Sequence, residues 1–173
     1  MLVLEQQKPR IAEGSLEEHE GDSCHPPPYT KNDTASTTFP WGGKSFIIRL
    51  CGSNKILSVD RKGSVQLAIP MESDSDAIKG FEWECVEKNG WFGFKQDGKF
   101  LGRGRGFCGW GHLSLEATTM GVNRGFTVRQ HPDGGYQIMA INKWSYDKLS
   151  VDHEGQKLAL TREDNALWEF VSV

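Results

Sequence analysis

Several marks of common protein classes are missing from this 173-residue sequence. No apolar run approaches the ~20 residues that span a bilayer, and residues 1–10 lack the basic start and long apolar centre of a signal peptide. The 20 basic residues are outnumbered by 23 acidic ones, so there is no excess of positive charge for binding nucleic acid. We therefore expect a soluble, cytoplasmic protein that binds neither nucleic acid nor membrane.

The cysteines are too few and too scattered for a disulfide framework or a metal site. None of the four belongs to a CxxC pair, and a protein inside the cell keeps its thiols reduced. Cys24 precedes a histidine, but no second Cys/His pair follows nearby. Asp74 and Asp76 are expected to be solvated linker charges. Cys51 and Cys85 fall on predicted strands, where we expect buried residues of low reactivity. The sequence therefore predicts no metal site and no cofactor.

The composition changes sharply near Pro40. Residues 1–42 hold five of the seven prolines and carry seven acidic residues against three basic ones, whereas residues 43–173 are close to neutral. A segment so poor in aliphatic side chains buries too little apolar surface to offset the entropy lost on ordering. We predict a disordered, acidic, proline-rich tail over 1–42 and one folded domain over 43–173.

A short motif in this tail matches a known recognition pattern. Pro26, Pro27, Pro28 and Tyr29 form the PPxY sequence that WW domains bind as a polyproline helix. The alternative is a stiff spacer, because a four-residue pattern arises easily in a proline-rich segment. A WW-recruited adaptor is therefore one hypothesis, and it rests on Pro26, Pro27 and Tyr29.

The folded part repeats itself three times with a period of about 45 residues. The repeats span about 45–87, 90–130 and 135–173, and each alternates apolar and polar residues with Gly, Asn or Asp at the breaks. That pattern is typical of half-buried antiparallel strands joined by hairpins, and helical periodicity is absent. Three equivalent four-strand units predict an all-β protein of the β-trefoil type, in which the units close one barrel and cap it with hairpins.

Nearly the whole folded part resembles the fascin-like branch of the β-trefoils. The resemblance is carried by Asp97-Gly-Lys-Phe-Leu101 and continues through Phe126–Tyr136. It implies the fold but no single activity, since the superfamily includes actin-bundling modules, lectins, growth factors and protease inhibitors. The Gln-x-Trp triplet of ricin-type lectins is missing, which disfavours ricin-type sugar binding and leaves other lectin branches open. The segments that stand in place of this triplet at the ends of the three repeats are Phe81-Glu-Trp83, Phe126-Thr-Val128 and Trp168-Glu-Phe170.

The hairpin of the second repeat carries an insertion. In a repeat fold a function is best sought where one copy departs from the others. Leu101 lies twelve positions before Leu113, whereas the other two repeats have eight and nine. The inserted segment is rich in glycine and supplies cationic and aromatic side chains typical of a binding hot spot. The alternative is a long hairpin that folds its tryptophan over the barrel mouth and leaves its arginines solvated. The candidate binding residues are Arg103, Arg105, Phe107, Trp110 and His112.

The third repeat supplies a second candidate in residues 142–147. This segment is longer than Gln96-Asp-Gly98 and places Trp144 and Tyr146 in an expected loop. Capping of the barrel is the expected role of these rings. The alternative is stacking on a sugar, a base or an apolar ligand, and both residues are therefore candidate binding residues.

These features predict a non-catalytic recognition module that binds a protein or a glycan through its trefoil loops. Glycan binding would depend on aromatic stacking and be competed by free sugar. Protein binding would depend on the arginines and weaken with added salt. A protease inhibitor, acting through one exposed loop, is a further alternative within this class.

Catalysis has less support in the sequence. No G-x-S-x-G, H-E-x-x-H or Walker loop is present. A general acid/base pair needs two titratable groups that converge, whereas the candidates are scattered over all three repeats. The enzyme alternative is an isomerase or cyclase with a pocket at the barrel mouth, using His112, Arg103 and Arg105. A nucleophilic Cys108 is a weaker alternative. The scattered candidates are Asp60, His112, Glu116, His131, Asp152 and His153.

Overall fold

Twelve β-strands follow one another in the part of the chain that the structure, a computed structural model, describes. That part comprises residues 38–70, 80–104, 113–121, 124–142, 144–152, 154–155, 157–163 and 166–173. No helix among these residues has the length and apolar character needed to cross a membrane. In chain order the strands are β1 (Ser45–Leu50), β2 (Ile56–Val59), β3 (Val65–Ala68), β4 (Glu82–Lys88), β5 (Trp91–Gln96), β6 (Lys99–Arg103), β7 (Leu113–Ala117), β8 (Phe126–Gln130), β9 (Tyr136–Asn142), β10 (Ser145–Val151), β11 (Leu158–Thr161) and β12 (Trp168–Ser172).

Six of these strands close a barrel. Strand β1 pairs with β12 and β4, β5 pairs with β4 and β8, and β9 pairs with β8 and β12, all antiparallel. The other six form the hairpins β2–β3, β6–β7 and β10–β11. Strands β3, β7 and β11 contact one another, which gathers the hairpins into a cap. Closure removes the sheet edges that a single repeat would expose.

The strand register relates the three repeats residue by residue, and the predicted threefold repetition is confirmed. It also corrects the alignment of the repeat ends, because Trp83, not Phe81, is the counterpart of Phe126 and Trp168. No glutamine lies two residues before any of these three positions, so the Gln-x-Trp triplet is absent in the corrected alignment as well. The equivalent cross-strand pairs are Phe46–Trp83, Phe92–Phe126 and Tyr136–Trp168.

Two tryptophans anchor the cap to the barrel. The indole N–H of Trp83 donates a hydrogen bond of 3.0 Å to the carbonyl oxygen of Leu57, and that of Trp168 donates one of 2.9 Å to Leu149. All four residues are fully buried. The second repeat has Phe126 at this position, and its ring has no N–H to donate. The buried indole N–H groups are thus satisfied inside an apolar core.

The segment before β1 packs onto the barrel. The backbone N–H of Thr38 donates a hydrogen bond of 3.0 Å to β12, and Pro40 is fully buried. The ring of Phe39 contacts those of Phe92 and Tyr136, with centroids 5.6 and 5.9 Å apart. These residues belong to the segment assigned to the tail from composition, so the folded part begins no later than Thr38.

Candidate functional site

Arg103, the last residue of β6, lies against the β9–β10 hairpin. Its guanidinium donates a hydrogen bond to the carboxylate of Asp147 on β10, and the two side chains form a salt bridge. The side-chain amide of Asn142, at the end of β9, donates a second hydrogen bond of 2.8 Å to the same carboxylate. Asp147 is only 4% exposed. Since a buried carboxylate is costly without partners, these two donors hold it in place.

This salt bridge brings together the two segments singled out in the sequence. Strand β6 leads into the insertion of the second repeat, and Asp147 ends the 142–147 segment of the third. The guanidinium of Arg103, a candidate contact group, is engaged within the protein. The other insertion candidates lie outside the described residues, and their roles stay predictions: Arg105, Phe107, Cys108, Trp110 and His112. The same holds for the tail motif of Pro26, Pro27 and Tyr29.

The β9–β10 hairpin is built differently from the expected loop. Asn142 pairs with Ser145, which leaves a two-residue turn of the same length as the turn joining β5 and β6. The additional residues extend the strands, and Tyr146 lies on β10 opposite Ile141. The expectation of a longer loop is therefore wrong, since both β9 and β10 have seven residues where β5 has six and β6 five.

The two aromatic side chains of this hairpin point away from the core. Trp144 is 100% exposed and Tyr146 is 50% exposed. Rings that capped the barrel would be buried, so the expected capping role is wrong for both. Exposed aromatic side chains have apolar faces and polar edges, which suits stacking against a ligand.

Comparisons with solved structures identify the fold. A β-trefoil called BEL, in an apo crystal form, matches with a TM-score of 0.60 and 13% identity over 79% of this chain and 97% of its own. A Macrolepiota procera ricin B-like lectin in complex with lactose matches with a TM-score of 0.57 and 13% identity over 77% and 98%. The chain is a β-trefoil.

A third similar structure is longer than this chain. It is a Polyporus squamosus lectin bound to a human-type influenza-binding epitope, with a TM-score of 0.57 and 14% identity over 76% of this chain. The β-trefoil described here spans half the length of that lectin. No protein-family model and no curated protein matches the sequence. At these identities the likeness establishes the fold alone.

The catalytic candidates that the structure describes lie in separate turns of the β-trefoil. The carboxylate of Asp60 accepts hydrogen bonds of 2.8 Å from the backbone N–H groups two and four residues later, so it forms the β2–β3 turn. His131 lies in the β8–β9 turn with Nδ1 3.6 Å from the carboxylate of Asp133. Asp152 begins the β10–β11 turn. These three are thus distributed over three turns. Outside the described part lie His112, His153 and the side chain of Glu116.

Metal and thiol chemistry also find little support. Within the described ranges no three His, Cys, Asp or Glu side chains are grouped to hold a metal ion. Burial raises the pKa of Cys85 on β4 to about 12. Cys51 lies just after β1 and not on a strand as predicted, and burial with the nearby charge of Glu169 raises its pKa to about 11. Because the thiolate is the reactive form, both cysteines have low reactivity, as the sequence indicates.

One cleft of the β-trefoil was not anticipated from the sequence. It has a volume of about 360 Å³ and lies between the second and third repeats, with Trp91, Met120 and Ile141 as its apolar lining. Lys88 and Asn89 line its polar side. In the sequence, Trp91 is one of several strand aromatics. The signal that distinguishes it is the lack of an aromatic residue at its symmetry-related positions, which requires the register of the barrel.

Proposed function

We propose that this β-trefoil is a non-catalytic recognition module that binds a glycan through the β9–β10 hairpin. The observation that carries the proposal is the full exposure of Trp144 beside half-exposed Tyr146. The flat faces of indole and phenol rings pack against the apolar faces of sugar rings, and the phenol hydroxyl adds a hydrogen-bonding group. The solved lectins of similar fold, one with lactose and one with an influenza-binding epitope, support this ligand class.

The support beneath the hairpin suits a binding surface. Arg103 and Asn142 both donate hydrogen bonds to the buried carboxylate of Asp147. Asp147 lies two residues after Ser145, which closes the exposed hairpin turn. A hairpin held in this way loses little conformational freedom when a ligand binds, so more of the contact energy appears as affinity. The buried salt bridge therefore positions the aromatic residues without contacting the ligand.

Glycan binding is favoured over protein binding because the guanidinium of Arg103 is engaged within the protein. A protein-binding surface would depend on free guanidinium groups in the insertion, and the one described guanidinium of this segment is engaged with Asp147. The ring of Trp144, in contrast, is fully exposed, and that of Tyr146 is half-exposed. The proposed site is also distinct from the ricin-type arrangement, because the Gln-x-Trp triplet is absent.

We also propose a relationship to the fascin-like branch. Its support is the Asp97-Gly98 turn within Asp97-Gly-Lys-Phe-Leu101, where both turn residues have positive φ values, 48° and 76°. Positive φ at both positions is the geometry of a tight hairpin turn that Asp-Gly favours. Phe100 and Leu101 of the same motif are buried. The motif thus has a structural role, and this relationship leaves the proposed glycan site unchanged.

The proposal is tested on a glycan array with the full chain. We expect wild type to bind a defined set of glycans, with binding competed by free sugar and little changed by salt. Trp144→Ala should lose this binding. Trp41→Ala is the matched control, because Trp41 is also an exposed tryptophan, 63% accessible, but lies before β1. Equal binding by wild type and Trp144→Ala, or no glycan bound by wild type, would contradict the proposal.

A further inference from the structure

The lining of the cleft beside Trp91 departs from the threefold symmetry of the barrel. A cleft also lies at one equivalent interface, but Cys51 and Leu167 line it there. The register makes Ser45 and Gly135 the counterparts of Trp91, because each immediately precedes a residue of the equivalent cross-strand pairs. Of the three described interfaces, only this one combines an indole ring, a glycine and an aliphatic side chain, those of Trp91, Gly125 and Ile141. Residues that maintain the scaffold are shared among repeats, so this departure indicates a local function. The remaining counterparts are Glu82 and Leu167 for Gly125, and Asp97 and Cys51 for Ile141.

Two glycines leave room for the apolar wall of the cleft. A β-carbon on Gly125 would lie 3.3 Å from the β-carbon of Trp91, so the indole packs directly on the backbone there. A β-carbon on Gly93, inside β5, would lie 2.9 Å from the ring of Phe100 and 3.1 Å from the sulfur of Met120. Glycine inside a strand weakens it and marks a close approach. The apolar wall of the cleft is therefore already formed in the ligand-free protein.

The polar side of the cleft carries a positive charge. Lys88 is exposed at the end of β4, and no carboxylate in the described part of the chain forms an ion pair with its ammonium group. Asn89 has a positive φ of 53° in the tight turn that follows, and it lines the cleft as well. A cation beside an apolar cleft complements a ligand that has an apolar body and an anionic group.

We propose that this cleft binds a small aromatic carboxylate. The ring packs against Trp91 and Ile141, and the carboxylate pairs with the ammonium group of Lys88. The volume of about 360 Å³ falls within the range of about 300–1,000 Å³ that small-molecule sites have. A sugar fits less well, because Lys88 and Asn89 are the only described lining residues with polar side chains. The ligand class thus differs from the glycan proposed for the hairpin.

The test is a calorimetric titration of the full chain with 2-naphthoate and with neutral 2-naphthylmethanol. We expect saturable binding of 2-naphthoate to one site, tighter than that of the alcohol by up to about fivefold, as for a partly exposed ion pair. Trp91→Ser, which introduces the residue of the first repeat at this position, should weaken naphthoate binding more than tenfold. Lys88→Gln should make the two affinities equal.

Control variants separate the cleft from other causes. Lys62→Gln changes an exposed lysine of the β2–β3 turn and should leave naphthoate binding intact. Lys88→Gln keeps the test decisive if Trp91→Ser fails to fold, because Lys88 is exposed. No saturable naphthoate binding by wild type, equal affinities of wild type for naphthoate and alcohol, or unchanged binding in Lys88→Gln or in folded Trp91→Ser would each overturn the proposal. Trp144→Ala should bind naphthoate normally, so this site and the glycan site succeed or fail separately.

Discussion

The guanidinium of Arg103 in the second repeat holds the buried carboxylate of Asp147 in the third. The two residues are 44 positions apart in sequence, so the contact fastens one repeat to the next beside the exposed hairpin turn. Asn142 completes the arrangement with its own hydrogen bond to the carboxylate. The contact thereby couples the stability of the barrel to the position of the proposed binding surface.

Removing the guanidinium should destabilise the fold. Arg103→Ala leaves the carboxylate of Asp147 buried with only the amide of Asn142 as a described side-chain donor. We expect the free energy of unfolding to fall by about 2–3 kcal/mol, somewhat less than for a fully buried ion pair because Arg103 is partly exposed. Urea unfolding followed by circular dichroism measures the change.

The double variant Arg103→Met/Asp147→Leu is the control for this effect. It removes both charges and leaves apolar side chains of similar length, so it should recover most of the lost stability. A double variant as unstable as Arg103→Ala, or a single variant as stable as wild type, would contradict the structural role of the pair.

The buried indole N–H groups should contribute measurably to stability. Trp83→Phe and Trp168→Phe each delete the hydrogen bond to the carbonyl oxygen of Leu57 or Leu149 and leave unfilled volume. We expect each to cost about 1–3 kcal/mol. Trp144→Phe is the matched control and should change the free energy of unfolding by less than about 0.5 kcal/mol, since Trp144 is exposed. Equal effects at buried and exposed positions would contradict the assignment.

Two neighbouring glycines should respond differently to alanine. Both have positive φ, but a β-carbon on Gly135 would lie 2.5 Å from the sulfur of Cys51, whereas one on Gly134 meets no atom within 4 Å. We expect Gly134→Ala to cost about 1 kcal/mol from backbone strain alone. Gly135→Ala should cost more by at least about 1 kcal/mol, as overpacking does. Cys51→Ala should reduce that difference. Thermal unfolding of Gly134→Ala and Gly135→Ala, each with Cys51 intact and with Cys51→Ala, measures the change.

The partly buried thiol of Cys51 should react slowly, with a defined pH dependence. In a Cys24→Ser/Cys108→Ser background, alkylation of native Cys51 at pH 8 should be about a hundredfold slower than in the denatured chain, because burial raises its pKa from 9.0 to about 11. The rate should rise about tenfold per pH unit until the pH nears that value. Rapid native labelling at pH 8 would contradict the raised pKa of this thiol.

The same pKa shifts affect stability in alkali. The folded chain holds these protons more tightly than the unfolded chain, so their contribution is present below about pH 9. It is lost as the pH rises through about 11 for Cys51 and about 12 for Cys85. The alkaline unfolding midpoint should therefore occur at higher pH in Cys51→Ala than in the same protein with Cys51 intact, after correction for the difference at neutral pH.

The repeats and the fold could be predicted from sequence because strand alternation is a local pattern. Period-two runs ending at Asn-Gly or Asp-Gly specify strands and turns within a few residues of chain. The partner of Arg103 could not be predicted in this way, since Asp147 approaches it only when the barrel closes. The importance of Trp91 was hidden for the same reason, because its counterparts Ser45 and Gly135 are recognisable only from cross-strand register.

The alternation of apolar and polar residues does not distinguish a strand from a loop in every part of the chain. Residues 142–147 contain polar and aromatic side chains typical of a loop, yet Tyr146 continues strand β10 with its ring exposed. A strand on the outside of a barrel presents every second residue to solvent, so aromatic side chains in such a strand resemble loop residues in sequence. Trp83 was misaligned with its counterparts because Phe81, two residues earlier, has the same strand phase.

The most direct test of the glycan proposal is NMR of the indole Nε1–H groups of the full chain, assigned by single Trp→Phe substitutions. The protein would be titrated with the glycan that it binds most strongly on the array. We predict that the Trp144 resonance shifts with saturation, while those of Trp83, Trp91 and Trp168 stay in place. A Trp144 resonance unmoved by any glycan, or a shift confined to another tryptophan, would contradict recognition by the β9–β10 hairpin.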